Sequence, residues 1–211
     1  MRTETLIDML ARNAGPAPRA LAAKRLCPAM VAGLLASGWA AIVWFGLIPW
    51  SLFGTPVPWT KMVYASALAA AAGWWVARLS RPAASVIRPR SVVIAVVIAM
   101  GAIGLVSWLS EPADRRLAAL LGHSWLSCPP SVFVLSLPAL AAALWAVQGL
   151  APTRPRMAGF AAGLLAGSVG AIGYSLSCPE ASAAFVAVWY SLGIVLTGVA
   201  GAILGSRVLR W

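Results

Sequence analysis

Acidic residues are almost missing from this chain: five Asp and Glu stand against sixteen Lys and Arg, with a single histidine. No carboxylate pair is placed for acid–base chemistry, and no glycine-rich phosphate loop lies in a βαβ setting. The chain is therefore read as not an enzyme, with no obligatory cofactor. Three cysteines are too few for a disulfide scaffold, and none forms a CxxC, which excludes zinc-ribbon and thioredoxin motifs. A cleavable leader is also absent from the expectation: the first 26 residues are mixed and basic, and the first apolar run is long enough to span a membrane.

What fills the chain instead is apolar. Hydrophobic residues make up 61% of the 211 positions, charged ones 10%, and the mean hydropathy is +0.87. A soluble domain of this length is not built that way, so the fold class is all-α, an integral membrane bundle. The net charge of +11 does not point to nucleic acid, because the cations are scattered over connections between apolar runs.

Six spans are predicted, at about 29–50, 61–78, 91–109, 131–148, 157–176 and 183–205, each near the roughly twenty residues that cross a hydrocarbon core. Arg2, Arg12, Arg19, Lys24 and Arg25 precede the first. Arg78, Arg81, Arg88 and Arg90 fill the second connection, Arg154 and Arg156 the fourth, and Arg207 and Arg210 end the chain. Only Lys61, Arg115 and Arg116 fall on the other side. The positive-inside rule then puts both termini in the cytoplasm. Residues 1–28 form a cytoplasmic tail and 29–211 the transmembrane domain.

Within the tail, Thr3 or Thr5 caps a short helix with Glu4 and Asp8 in its first turns, and Asn13-Ala14-Gly15-Pro16 stops it. Leu6, Met9, Leu10 and Ile7 recur at helical spacing and make an apolar stripe that suits a partner's groove. Trp50, Trp59, Trp108 and Trp125 are expected as anchors at the outer boundary, Trp74, Trp75 and Trp211 at the inner. Gly159, Gly163 and Gly167 run GxxxGxxxG along the fifth span, and Gly201 and Gly205 repeat the spacing on the sixth, so a tight bundle is predicted rather than a pore. No ionisable side chain is read inside a span, Lys61 being assigned to the outer connection, which weakens ion-coupled transport.

Two stretches remain. GHSWLSCPP at Gly122–Pro130 and SCPE at Ser177–Glu180 each set a cysteine before a proline at the outer mouth of a span. Proline favours a helix's first turn, which places Cys128 at the start of the fourth span and Cys178 just ahead of the sixth. If those mouths adjoin, the thiols pair. A helix N-terminus favours thiolate, and both cysteines face a compartment where disulfides persist. Three readings stay open: a structural disulfide, a redox-switchable pair, and a site for a transient thiophilic metal ion with His123 and Glu180 as auxiliary ligands. Cys27, on the reducing side, is read as a bystander, and Glu111 and Asp114 as pairing with Arg115 and Arg116 in a solvated loop.

The run from GHSWLSCPPSVFVLSLPAL through LAPTRPRMAGFAAGLLAGSVGAIGYSLSCPE to FVAVWYSLGIVLTGVAGAILGSRVLRW, with the opening TETLIDMLARNAGPAPR, resembles the NrsF-type family of six-span bacterial anti-sigma factors. That resemblance implies an inner-membrane protein that sequesters an extracytoplasmic-function (ECF) sigma factor on its cytoplasmic side. It also implies release under heavy-metal or oxidant stress sensed by the periplasmic Cys128 and Cys178. The alternative is a small multi-pass transporter or exporter with the cysteines as an outer-face ligand site.

Overall fold

The computed structural model describes residues 3–13, 21–81 and 84–210, and among them all regular structure is helical. The helices are α1 (Thr3–Asn13), α2 (Leu21–Phe45), α3 (Pro56–Leu79), α4 (Ile87–Ser110), α5 (Arg116–Leu121), α6 (Cys128–Gln148), α7 (Pro155–Ser175) and α8 (Ala183–Val208). Six of them, α2, α3, α4, α6, α7 and α8, are long and apolar enough to cross a membrane. Proline opens α3, α6 and α7 at the first turn, where its missing N–H costs nothing. Ser182 starts α8 by accepting a hydrogen bond from the Phe185 amide.

The expected boundaries shift in three places. The first span begins at Leu21 rather than 29 and ends at Phe45 rather than 50, running through Lys24, Arg25 and Pro28. Residues 50–54 instead form a 3₁₀ turn. The second begins at Pro56, so Lys61 lies inside it. α5 was read as loop. It is a single short turn of helix, and Arg116 at its start donates to the carbonyls of Glu111 and Leu109 and lies over the Trp108 ring at 5.4 Å. The expected pairing of Arg116 with the neighbouring carboxylates is thus replaced by contacts to backbone and indole.

α7 is the centre of the bundle, ringed by α2, α3, α6 and α8. Its glycines explain why. A Cβ at Gly159 would strike the Gly201 carbonyl, one at Gly163 the Thr197 carbonyl, and one at Gly167 would lie 3.0 Å from Ile194 Cα. Backbone therefore meets backbone along α7 and α8, where dispersion replaces the hydrophobic effect that lipid removes. Buried hydroxyls bridge other helices: Ser37 Oγ donates to the Gly170 carbonyl (3.3 Å), Ser136 and Thr197 hydrogen-bond at 2.9 Å, and Tyr64 and Ser191 at 2.7 Å. Trp75, expected at the inner interface, is buried and packs edge-on against Phe160. Trp211 lies outside the described residues.

The bundle has two chemically distinct ends. The α2–α3, α4–α6 and α7–α8 connections meet at one, called the thiol end below: the Ile48 amide donates to the Leu176 carbonyl, and His123 to Glu180. At the other, Arg78, Arg81 and Arg154 line one pocket, and Arg25 packs on Gly149. This is the basic end.

Candidate functional site

Cys128 is the first residue of α6 and wholly buried; its amide donates to the Ser124 carbonyl at 2.8 Å. Cys178 sits in the α7–α8 connection, 1% exposed, with its amide donating to the Tyr174 carbonyl at 3.1 Å. Both are free thiols. They lie within electrostatic range of one another, and Cys128 within range of Lys61 and Glu180. The proline signals thus placed both cysteines at helix mouths. Closing the connections over each other takes both thiols out of water.

Lys61, in the second turn of α3, reaches into this cluster. It is 1% exposed, donates from Nζ to the Cys178 carbonyl at 2.7 Å, and stands 5.8 Å from the centre of the Tyr190 ring. Assigning it to a solvated outer connection was wrong, because the helix starts five residues earlier. A lysine inside an apolar helix is costly, and here the Cys178 carbonyl and the Tyr190 ring offset that cost; its position just after Pro56-Val-Pro58 was the available signal.

Tyr190 is fully buried, and its side chain faces Cys178. It closes a π-helical stretch, Val186–Tyr190, within α8. Such widened turns are rare and recur at functional sites. Its ring lies 5.9 Å from that of Tyr174, which in turn meets Phe45 edge-on at 5.6 Å. No sequence pattern announces this aromatic stack. The Ser177 hydroxyl is buried without a partner among the described residues.

Glu180 ties the second cysteine's connection to the first. Its carboxylate accepts from the His123 amide (2.7 Å) and the Ser124 hydroxyl (3.0 Å). Gly122 makes the close approach possible: its φ is +57°, and a Cβ there would come within 2.8 Å of both the Glu180 carboxyl carbon and the Phe185 ring. The His123 imidazole points into solvent, 4.0 Å from the carboxylate. So His123 contributes its backbone, and Glu180 serves as a loop clasp. Among the described residues, no three of the His, Cys, Asp and Glu side chains form a group able to hold a metal ion.

The 176–180 segment is consequently held from three directions: by the Ile48 amide, by Lys61 of α3 and by the 122–124 turn. Trp189 adds a fourth tie between the ends of α5 and α8, donating to the Leu120 carbonyl at 2.9 Å and packing on Trp125. A chemical change at Cys178 therefore bears on α3, α6 and α8 together.

Elsewhere, α1 is the short helix expected, and Ile7 and Met9 are exposed on it. The side chains of Leu6 and Leu10 lie outside the described residues. Cys27 is exposed on α2, away from the pair.

The sequence of residues 10–211 matches the family described as NrsF, negative regulator of sigma F. It is 42% identical to the anti-sigma-F factor NrsF of Caulobacter vibrioides over 219 aligned positions, covering the whole of both chains. It is 39% identical to the probable anti-sigma-F factor NrsF of Azospira oryzae over 221, again end to end. No solved structure matches it.

Proposed function

The chain belongs to the NrsF family of negative regulators of sigma F, and from that premise we propose a membrane switch whose thiol end governs whether a sigma factor is held or freed. As a family member it is a regulatory protein, not an enzyme, and a sigma factor is its partner; the transporter alternative is set aside. The finer assignments are ours. The partner is of the ECF type. The protein lies in the bacterial inner membrane with both termini and the basic end in the cytoplasm, where thirteen of the sixteen cations fall. The thiol end faces the periplasm.

One observation carries the proposal: the two cysteines are buried in a single cluster built on a segment held by α3 and by two other connections. Two chemistries act there. An oxidant takes two electrons and two protons from the thiols as one S–S bond forms. Alternatively, a thiophilic divalent ion displaces both thiol protons and binds the two sulfurs, as a transient ligand rather than a resident cofactor. Either rearranges the backbone at Cys178, frees or shifts Lys61, and tilts α3, whose other end carries Arg78 at the basic face. Moving a two-state equilibrium from 1:99 to 99:1 takes about 5.5 kcal/mol, comparable with a disulfide's ~2–4 kcal/mol combined with a loosened clasp of about 1–3.

Residues 1–28 contribute the sigma-facing tail and 29–211 the sensor bundle, although α2 extends the bundle back to Leu21. On the tail, the stripe of Leu6, Ile7, Met9 and Leu10 docks in a groove of the sigma factor. Replacing Cys128 and Cys178 together with Ser is expected to abolish induction by cadmium or oxidant while leaving the protein in the membrane; normal induction removes the sensor. Leu6→Asp with Leu10→Asp is expected to free the sigma factor without any signal, and unchanged repression removes the tail from the mechanism.

A further inference from the structure

α4 stands partly off the bundle and leaves a groove of about 340 Å³ against α3, α7 and α8. That volume is within the roughly 300–1,000 Å³ of ligand pockets, and a helix about 10 Å across fills it in a single turn. Its walls are aliphatic and aromatic, Leu68, Val97, Phe160 and Ile194 among them. Polar groups occur only toward its two ends. Nearer the thiol end, the Tyr64 and Ser191 hydroxyls satisfy each other. Nearer the basic end are Arg90, exposed and paired with no carboxylate among the described residues, and Trp75, 6% exposed, whose buried indole N–H has no acceptor among the described residues.

We propose that this groove seats an anionic phospholipid from the leaflet at the basic end. Arg90 pairs with the headgroup phosphate, the Trp75 N–H donates to a phosphate or ester oxygen, and an acyl chain lies along the aliphatic walls. Inside a membrane, an unsatisfied N–H has no water to fall back on, so an acceptor in the groove relieves it. A neutral lipid leaves Arg90 unpaired; an anionic one satisfies both donors at once. One helical turn further out, Arg78, Arg81 and Arg154 line a second pocket of about 350 Å³, and such a basic rim concentrates acidic headgroups at the groove mouth. The seated lipid wedges α4 against α3 and α8.

Native mass spectrometry of the full-length protein, exchanged into mixed micelles of phosphatidylglycerol and phosphatidylcholine, tests this. Wild type is expected to retain phosphatidylglycerol at least tenfold over phosphatidylcholine. Arg90→Gln and Trp75→Phe are each expected to cut phosphatidylglycerol retention fivefold or more, and Arg115→Gln, at the other end, to change nothing. Val97→Phe, which fills the groove without touching either donor, is expected to match them and keeps the test sound if one of the others unfolds. Sigma-factor capture by the same preparations reads the regulatory role separately. Equal retention of the two lipids, or phosphatidylglycerol retention unaltered in all three groove variants, overturns the proposal.

Discussion

α7 and α4 are both apolar helices of spanning length, yet 83% of an 18-residue apolar stretch of α7 is buried in the protein and 17% of that of α4. The more hydropathic of the two is the exposed one. α7 carries glycine, alanine and serine where other helices must approach; α4 carries Val, Ile and Leu outward, as suits a helix facing lipid. In a membrane the packed core is marked by small residues rather than by greasy ones, since burial against protein and burial against lipid desolvate a side chain alike. The site follows the same division. Cys178 and Lys61 sit where α7 and its neighbours converge, so the proposed sensing pair belongs to the closely packed part, while α4 borders the groove.

The contrast can be broken from either side. Gly163→Leu forces a side chain into the Thr197 carbonyl of α8 and is expected to cost about 3 kcal/mol, whereas Gly101→Leu on α4, where a Cβ meets nothing within 4 Å, stays within ~0.5 kcal/mol. Equal shifts in thermal unfolding in micelles would refute the distinction. Gly122→Ala places a Cβ against Glu180 at a positive φ and is expected to cost about 2 kcal/mol, seen as unfolding at lower temperature; no change means the clasp is slack. Lys61→Met removes the bond to the Cys178 carbonyl, with an expected loss of about 1 kcal/mol and clearly faster maleimide labelling of Cys178. Labelling at the wild-type rate shows that Lys61 does not hold the segment closed. Smallest of all, Cys27→Ser is expected to leave both stability and induction as they were.

Much of this architecture is written in composition. Six apolar runs and the GxxxG spacing name the spans and the α7–α8 seam because length and side-chain size alone decide them. Proline beside each cysteine likewise placed Cys128 and Cys178 at helix mouths; that the two mouths adjoin came only from the fold. What sequence hid has physical reasons too. Lys24, Arg25 and Pro28 look like stops, yet α2 runs through them: Pro28 lies inside the helix on an exposed face, Lys24 is exposed, and Arg25 lies against Gly149. Lys61 was misread because a charge at the edge of an apolar run is read as solvated, and only the fold brings a carbonyl and a tyrosine ring to it. The π-helical turn at Tyr190 and the Glu180 clasp are long-range outcomes with no local pattern. The tail helix was legible from its helical spacing, although Thr3 and Thr5, expected as caps, both lie within it.

The central claim is that chemistry at the buried thiol pair controls release of the sigma factor. The most direct test is a gentle-detergent pull-down of the tagged protein from native membranes, with and without cadmium or oxidant, comparing wild type with the Cys128→Ser, Cys178→Ser double variant. A sigma factor that leaves the wild type on treatment and stays on the variant is the expected outcome. Release from both alike, or from neither, would overturn the claim.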